Sequence, residues 1–335
     1  MSSVEPDGES TGLILHVQRL STEDGPGIRS TVFFKQCPLS CRWCHNPESI
    51  SAQPQLQWYS TRCMGCHSCV GACPSGCISF GPQGFLLDRA RCDGCGACVE
   101  ECPTNALELL GRRVRVDALA EELAKDRAYF ESSGGGVTLS GGEPLAQSGF
   151  AIALLQRLKE KGIATALDTC GFAATEGMGQ ALRSTDTLLF DLKIMDRVSH
   201  MAFTGQPNEL ILKNVLLVRT LREAGETGAR LWIRTPLIPG ATATRENIVA
   251  IGAFIAEHLD GVLERWELCA FNNLCREQYR RLGMEWAYAE TPLYDTSQLD
   301  EISGWARASG VDPSRVAVTG AARAAYSETE EIRRS

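Results

Sequence analysis

The sequence predicts an α/β protein in which five or six parallel strands with outer helices form either a doubly wound sheet or a partial barrel. Three observations carry that expectation. Helical patterns and short apolar runs alternate through residues 113–335 at the spacing of βα units. Residues 12–50 read as strand, glycine-rich loop, strand and cysteine loop. Between these regions, residues 52–110 hold nine of the fifteen cysteines and little regular periodicity, which is the texture of an insert.

The elements follow in order. Leu13–Gln18 reads as a strand, and Thr31–Phe34 as the first of the parallel set. Val116–Phe130 has helical periodicity, with Leu119, Leu123 and Phe130 among its apolar positions. Strand Gly136–Leu139, helix Phe150–Glu160, strand Ile163–Leu167, helix Ala173–Arg183 and strand Thr187–Phe190 come next. Helix Glu209–Glu223, strand Leu231–Thr235, helix Ala243–His258, strand Arg265–Leu268 and helix Thr296–Ala308 complete the series. With Thr31–Phe34 the parallel strands number six. In such folds the loops at the strand C-terminal ends carry the chemistry. Polar clusters fall there: Cys37–Cys44, Ser140–Pro144, Asp168–Gly171, Asp191–Lys193, Arg234 and Asn272–Asn273.

Bulk properties narrow the class. The 335 residues, 44% of them hydrophobic, can bury a sizeable core. A formal net charge of -8 argues against a nucleic-acid surface, which needs a basic footprint. No apolar run reaches 18 residues and Met1–Thr22 lacks a leader pattern, so a cytoplasmic protein is expected. The cysteines sit mostly two or three residues apart, a spacing that suits convergence on metal better than disulfides.

The insert repeats itself. Cys63, Cys66, Cys69 and Cys73 precede Pro74, and Cys92, Cys95, Cys98 and Cys102 precede Pro103, with a period of 29 residues. Each is the C-x2-C-x2-C-x3-C-P run that holds four-iron clusters in bacterial ferredoxins, where the fourth cysteine ligates the other cluster. One set is therefore Cys63, Cys66, Cys69 and Cys102; the other is Cys92, Cys95, Cys98 and Cys73. Paired structural zinc sites are the alternative. Ile78 and Leu107 are expected to shield the clusters, and Cys77 to be a small buried residue.

Cys37-x3-Cys41-x2-Cys44 has three thiols rather than four. A four-iron cluster so held keeps one iron without a protein ligand, free to take a small molecule, as a catalytic zinc site keeps an open position. Cys170, Cys269 or Cys275 could close the site instead, and Cys170 is the best placed.

The run Cys37-Pro-Leu-Ser-Cys41-Arg-Trp43-Cys44-His45-Asn46-Pro47 resembles the signature of radical S-adenosylmethionine enzymes. With Asp24-Gly-Pro-Gly-Ile-Arg29 before it, the chain is similar over roughly residues 14–310 to the activating enzymes of glycyl radical enzymes. The double insert matches their longer branch. The resemblance implies a partial (β/α)6 TIM-like barrel of the radical SAM type over 12–51 and 111–312. It implies a ferredoxin-like domain with two [4Fe-4S] clusters over 52–110 and a C-terminal tail over 313–335. Three [4Fe-4S] clusters and S-adenosyl-L-methionine are the implied cofactors, with Na+ or K+ beside them.

The implied roles are specific. Cys37, Cys41 and Cys44 hold the catalytic cluster. Gly141, Gly142 and Glu143 hold the methionine moiety, with Glu143 near its amino group. Asp168, Thr169 and Asp191 surround the cation, Lys193 is a nearby cationic group, and Arg234 pairs with the cofactor carboxylate. Trp43 packs on adenine or covers the cluster, and Asn46 belongs to the same loop. Asn272 stands where short relatives carry a histidine. Asp24 and Arg29 belong to a lip that faces the partner, a turn segment suited to docking a peptide backbone. The implied activity is reductive cleavage of S-adenosylmethionine to a 5'-deoxyadenosyl radical, which takes a Cα hydrogen from a glycine of a lyase, decarboxylase, dehydratase or arylsuccinate synthase. Flavodoxin or ferredoxin is the implied electron donor, and the protein alone is expected to be a monomer. Two alternatives are a radical enzyme acting on another small molecule or protein, and a ferredoxin-like electron carrier.

Overall fold

The computed structural model describes residues 11–82 and 84–323. Strand β1 (Thr11–Ser21) turns at the Asp24–Arg29 segment into β2 (Arg29–Phe34), its antiparallel neighbour. The cysteine loop follows, and then the insert. It comprises β3 (Gln55–Trp58), the short helix α1 (Ser68–Ala72), β4 (Ile78–Gly81), β5 (Gly84–Leu87), the short helix α2 (Ala97–Glu100) and β6 (Leu107–Leu110). Strands β3 and β6 pair antiparallel, as do β4 and β5. After them come β7 (Arg112–Arg115), α3 (Val116–Ala124), α4 (Arg127–Ser133), β8 (Gly136–Gly141), α5 (Ser148–Glu160), β9 (Thr165–Thr169), α6 (Thr175–Leu182) and β10 (Thr187–Asp191). The chain continues through α7 (Arg197–Thr204), α8 (Glu209–Glu223), β11 (Arg230–Leu237), α9 (Arg245–His258), β12 (Leu263–Ala270), α10 (Arg276–Leu282), α11 (Thr296–Arg307) and β13 (Val316–Thr319).

Nine strands form the main sheet in the order β13-β12-β11-β10-β9-β8-β2-β1-β7, a partial barrel. From β2 to β13 every neighbour is parallel. The parallel set is thus seven strands rather than six. Val316–Thr319 is short, and it sits where a tail was expected from residue 313; apolar Val316 is buried beside Trp266 and recruits it to the edge. Residues 324–335 of that tail lie outside the described residues, as do 1–10 of the start. The opposite edge ends in β7, whose Arg-Arg-Val-Arg sequence blunts it with charge.

The buried faces explain the layering. The strands β8, β9, β10 and β11 are largely buried on both faces, as in parallel strands covered by helices, although Thr138, Ser140 and Thr169 place polar groups among the apolar ones. Phe34, Leu139, Leu167, Phe190, Ile233 and Trp266 belong to one continuous core with Leu154, Leu155, Val215 and Ile251 of the outer helices. The insert has its own small core, built on Leu56, Ile78, Leu107, Cys69 and Cys98. No helix among the described residues is long and apolar enough to cross a membrane.

The single helix expected over Val116–Phe130 is two. Asp126 stands at the break: its carboxylate accepts from Ser30 Oγ at 2.6 Å and pairs with Arg19, so its side chain ties the junction to β1 and β2, while its carbonyl caps the start of α4 by accepting from Tyr129 N at 2.9 Å. Within the insert the 29-residue repeat persists in the backbone. Gly65 and Gly94 share φ of 71°, His67 (62°) matches Gly96 (86°), and Gly76 (59°) matches Asn105 (50°). Two non-glycine residues accept left-handed backbone to keep the symmetry, at a small steric cost.

Gly171 follows the third parallel strand with φ +71°, and a Cβ there would lie 2.1 Å from Phe190 Cζ. Gly171→Ala is expected to lower stability by about 2–4 kcal/mol, from left-handed strain plus overpacking against Phe190. The urea midpoint of the anaerobically purified protein measures it, and an unchanged midpoint would refute the packing account.

Candidate active site

The C-terminal ends of the parallel strands open on one cleft of about 450 Å3. That volume suits a nucleoside-sized ligand. Cys37, Cys41, Trp43, Cys44 and Asn46 reach it from the loop after β2; Gly141 and Gly142 from the end of β8; Asp168, Thr169 and Cys170 from the end of β9. Asp191 and Lys193 arrive from β10, Arg234 from β11, Asn272 from the loop after β12, and Gly320 from the loop after β13.

The cysteine loop is pinned by backbone bonds from outside. Cys37 N–H donates to Ile50 O at 3.1 Å, Ser40 N–H to Thr204 O at 2.8 Å and Arg42 N–H to Phe203 O at 3.0 Å. All described cysteines are free thiols. Burial pushes Cys41 up to about 11 and Cys44 further above the ordinary thiol range. Cys41 and Cys44, half-buried on one short loop, thus lack enough positive charge in the chain itself to ionise them. Metal would supply it, so the donor set fits an iron–sulfur group. Cys170 lies beside Cys37, and their hydrogen bond lowers the Cys37 thiol while raising that of Cys170.

The floor of the cleft is backbone. A Cβ on Gly141 would lie 2.5 Å from Phe34 N, and one on Gly142 2.4 Å from Gln36 O. Only glycine lets β8 end this close to the cysteine loop. Glu143, expected near a ligand amino group, is not among the residues that line the cleft beside Gly141 and Gly142. It has no exposed surface, and its carboxylate accepts from Leu145 N at 3.0 Å, Cys170 N at 2.8 Å and Thr169 Oγ1 at 2.8 Å. The side chain turns away from the cleft because those donors from the β9 loop satisfy it. Burial raises its pKa.

The cleft walls carry paired charge. Asp168 Oδ2 accepts from Ser140 Oγ at 2.7 Å and faces Arg234 Nη1 at 3.3 Å. Arg234 also faces Glu267 at 3.5 Å, and Glu267 faces Arg265 at 3.1 Å. Lys193 pairs with Asp191. Burial opposes the ammonium of Lys193, but the Asp191 carboxylate paired with it outweighs burial and holds its pKa above the ordinary value. Both carboxylates expected around a cation are therefore engaged by the chain's own cations.

Asp24 stands behind the lip rather than in the cleft. Its Oδ2 accepts from Ser21 Oγ at 2.6 Å and Thr31 Oγ1 at 2.7 Å, while the adjacent Glu23 lines the cleft. Arg29, 1% exposed, donates to Thr138 Oγ1 at 2.6 Å, Val137 O at 2.8 Å and Pro26 O at 3.1 Å. Trp43 is buried against Phe203, with ring centroids 6.0 Å apart. Asn272 O meets His45 Nε2 at 3.1 Å.

In the insert, Cys63, Cys66, Cys69 and Cys102 line one hollow with Trp58, Phe80 and Phe85. Cys73, Cys92, Cys95 and Cys98 line a second with Leu56 and Ile78. Leu107 walls the first, and Cys77, buried, lies with its Sγ 3.3 Å from Cys73 Sγ. Backbone N–H groups at Cys77 and Ala106 donate to Cys73 and Cys102 sulfur at 3.4 and 3.2 Å, again following the repeat. Apolar walls around four soft donors fit iron–sulfur groups.

Three contributors escaped the sequence reading: Glu267 against Arg234, Thr319–Gly320 at the far edge, and Tyr279, whose hydroxyl donates to Cys44 O at 3.0 Å. Glu267 lies in a predicted strand beside Arg265, and that alternation was the available signal for it.

The family described as a 4Fe-4S binding domain matches residues 56–79 and 85–108, and the 4Fe-4S single cluster domain matches 23–64. The chain is 41% identical to the trans-4-hydroxy-L-proline dehydratase activating enzyme of Clostridioides difficile, over 87% of this chain and 94% of that one. It is 40% identical to the (2S)-3-sulfopropanediol sulfolyase activating enzyme of Bilophila wadsworthia, over 83% and 90%. It is 38% identical to the isethionate sulfite-lyase activating enzyme of Nitratidesulfovibrio vulgaris, over 88% and 94%.

Desolvation raises Asp168 from 3.8 to about 6, with Arg234 opposing. A carboxyl so raised favours the folded state when protonated. Its contribution is fully present below about pH 4 and is lost as pH rises through about 6. Asp168→Asn is expected to flatten the dependence of the urea midpoint between pH 4 and 6, and an unaltered slope would sink this assignment.

Proposed function

The chain belongs to the radical S-adenosylmethionine activating enzymes of glycyl radical enzymes, and on that footing we propose that the cleft is where it binds S-adenosylmethionine and meets the glycine loop of its partner. The observation that carries the reading is the convergence of three free thiols with the Gly141–Gly142 and Asp168–Cys170 loops on one cleft at the strand ends. Cys37, Cys41 and Cys44 would hold a [4Fe-4S] cluster with one iron open. When bound and reduced, that cluster supplies the electron that cleaves the sulfonium C–S bond, giving methionine and the 5'-deoxyadenosyl radical that takes the partner's glycine Cα hydrogen.

The chain's own residues bind and orient. The backbone at Gly141 and Gly142 cradles the methionine moiety, and Arg234 and Lys193 offer positive charge to its carboxylate. Glu143 acts one step removed, by holding the Thr169–Cys170 loop in place. Trp43 covers the cysteine loop, and Asn46 and Asn272 offer polar groups at its rim. Na+ or K+ would sit at Asp168 and Asp191 if the cofactor carboxylate draws Arg234 and Lys193 away from them. The Asp24–Arg29 lip, rigid through its buried hydrogen bonds, offers a preformed edge for a peptide backbone.

The insert sets would hold two further [4Fe-4S] clusters and pass electrons from a flavodoxin or ferredoxin in the cytoplasm. The protein alone would work as a monomer. The partner would be a lyase or dehydratase of the glycyl radical class. The barrel would span 12–51 and 111–312 and the ferredoxin-like domain 52–110.

Anaerobic reconstitution tests the proposal. The native protein should hold about twelve irons, and a Cys37→Ala, Cys41→Ala, Cys44→Ala variant about eight. S-adenosylmethionine should alter the reduced-state EPR spectrum of the native protein alone, with 5'-deoxyadenosine formed. Equal iron in both proteins, with neither a spectral change nor product, would leave the electron-carrier alternative.

A further inference from the structure

Helix α10 stands between the insert and the cysteine loop and touches both. Toward the loop, Tyr279, 6% exposed, donates its hydroxyl to Cys44 O at 3.0 Å. Cys275 Sγ approaches the same oxygen at 3.8 Å. The Tyr279 ring stacks on Trp286 with centroids 5.3 Å apart, and Trp286 meets the edge of His45 at 6.4 Å. The peptide that carries one of the three catalytic thiols is thus held by a side chain 235 residues later in the chain.

Toward the insert, the same helix is held by two arginines. Arg89 donates Nη1 to Leu56 O at 3.1 Å and Nε to Leu282 O at 2.8 Å, so one guanidinium joins β3 to the end of α10. Arg281 of α10 lies over the Tyr59 ring at 4.5 Å, and Tyr59 hydroxyl donates to Glu108 on β6 at 2.7 Å. Leu56 walls the hollow of Cys73, Cys92, Cys95 and Cys98. A continuous set of packed and hydrogen-bonded groups therefore runs from that hollow through Arg89 and one turn of α10 to Cys44.

We propose that Tyr279 is a positioning residue for the Cys37–Cys44 loop and that α10 is the strut by which the insert sets the geometry of that loop. The proposal rests on the function given above only for its consequence, cofactor binding; the strut itself stands on the contacts. By linkage, a coupling of this kind is reciprocal: whatever orders the insert orders the loop. It also needs demonstration by coupling rather than by proximity alone.

Tyr279→Phe keeps the stack on Trp286 and removes only the donor. Arg89→Ala releases the insert end of α10 without touching the cleft. In the reconstituted protein, loss of one buried hydrogen bond is expected to speed backbone hydrogen exchange over residues 41–46 by about 3–10-fold in Tyr279→Phe. Arg89→Ala should raise exchange in the same segment, and the double variant should exceed Tyr279→Phe by less than the product of the two effects. The S-adenosylmethionine concentration that half-completes the EPR change should rise about 3–10-fold in Tyr279→Phe, with the insert signals unmoved. Native exchange over 41–46 in Tyr279→Phe would overturn the positioning role. Native exchange there in Arg89→Ala, or fully multiplicative effects, would overturn the strut. If the native spectrum ignores the cofactor, the proposed function fails, and the exchange data still decide on the strut.

Discussion

A carboxylate with no exposed surface holds the floor of this cleft together. Glu143 is placed by the end of β8, and its oxygens take their donors from Leu145 and from Thr169 and Cys170 of the next loop. Removing one donor from such a buried carboxyl typically costs about 1–3 kcal/mol because the oxygen is left unsatisfied. The two loops are therefore one unit. Gly141 and Gly142 can face the cleft as bare backbone because the residue after them anchors that backbone from behind. Asp168, two residues before Cys170, inherits its position from the same clamp, and through Asp168 so does the Arg234 guanidinium.

The insert solves a different problem. It must wrap two hollows with fewer than sixty residues, and it does so by using one backbone design twice. Left-handed residues recur at matching places in both halves, and each fourth cysteine crosses into the opposite hollow. The exchange interlocks the halves, since neither hollow has its four thiols without the other. A small core of Leu56, Ile78 and Leu107 suffices because the thiols add ordering of their own once they bind metal.

What the sequence made legible was local. The cysteine runs, the glycine pair and the βα alternation all declare themselves within a few residues, so their chemistry and order along the chain were readable. Most of the parallel strands and the long helices could be placed from apolar periodicity. What stayed hidden depends on partners far along the chain. The junction at Asp126 is tied by Ser30 and Arg19, the inward turn of Glu143 is set by Thr169 and Cys170, and the grip on Cys44 by Tyr279. Helices α7 and α10 escaped notice because they are short and carry weak apolar patterns: Val198 and Met201 of α7 are exposed, and α10 is mostly charged. Strand β13 has only four residues, and its pairing with β12 is what defines it.

The grip on the cysteine loop has a bearing on biogenesis. Ser40 finds its acceptor at Thr204, 164 residues downstream, and Cys44 meets Tyr279, 235 residues downstream. A ribosome delivering this chain releases the three thiols long before the groups that shape them. The insert, whose thiols lie between Cys63 and Cys102, has its complete ligand sets early. The two sets of thiols thus differ in what they wait for: those of the insert are all present once residue 102 has emerged, whereas the backbone of the Cys37–Cys44 loop gains its outside partners only when Thr204 and Tyr279 have followed.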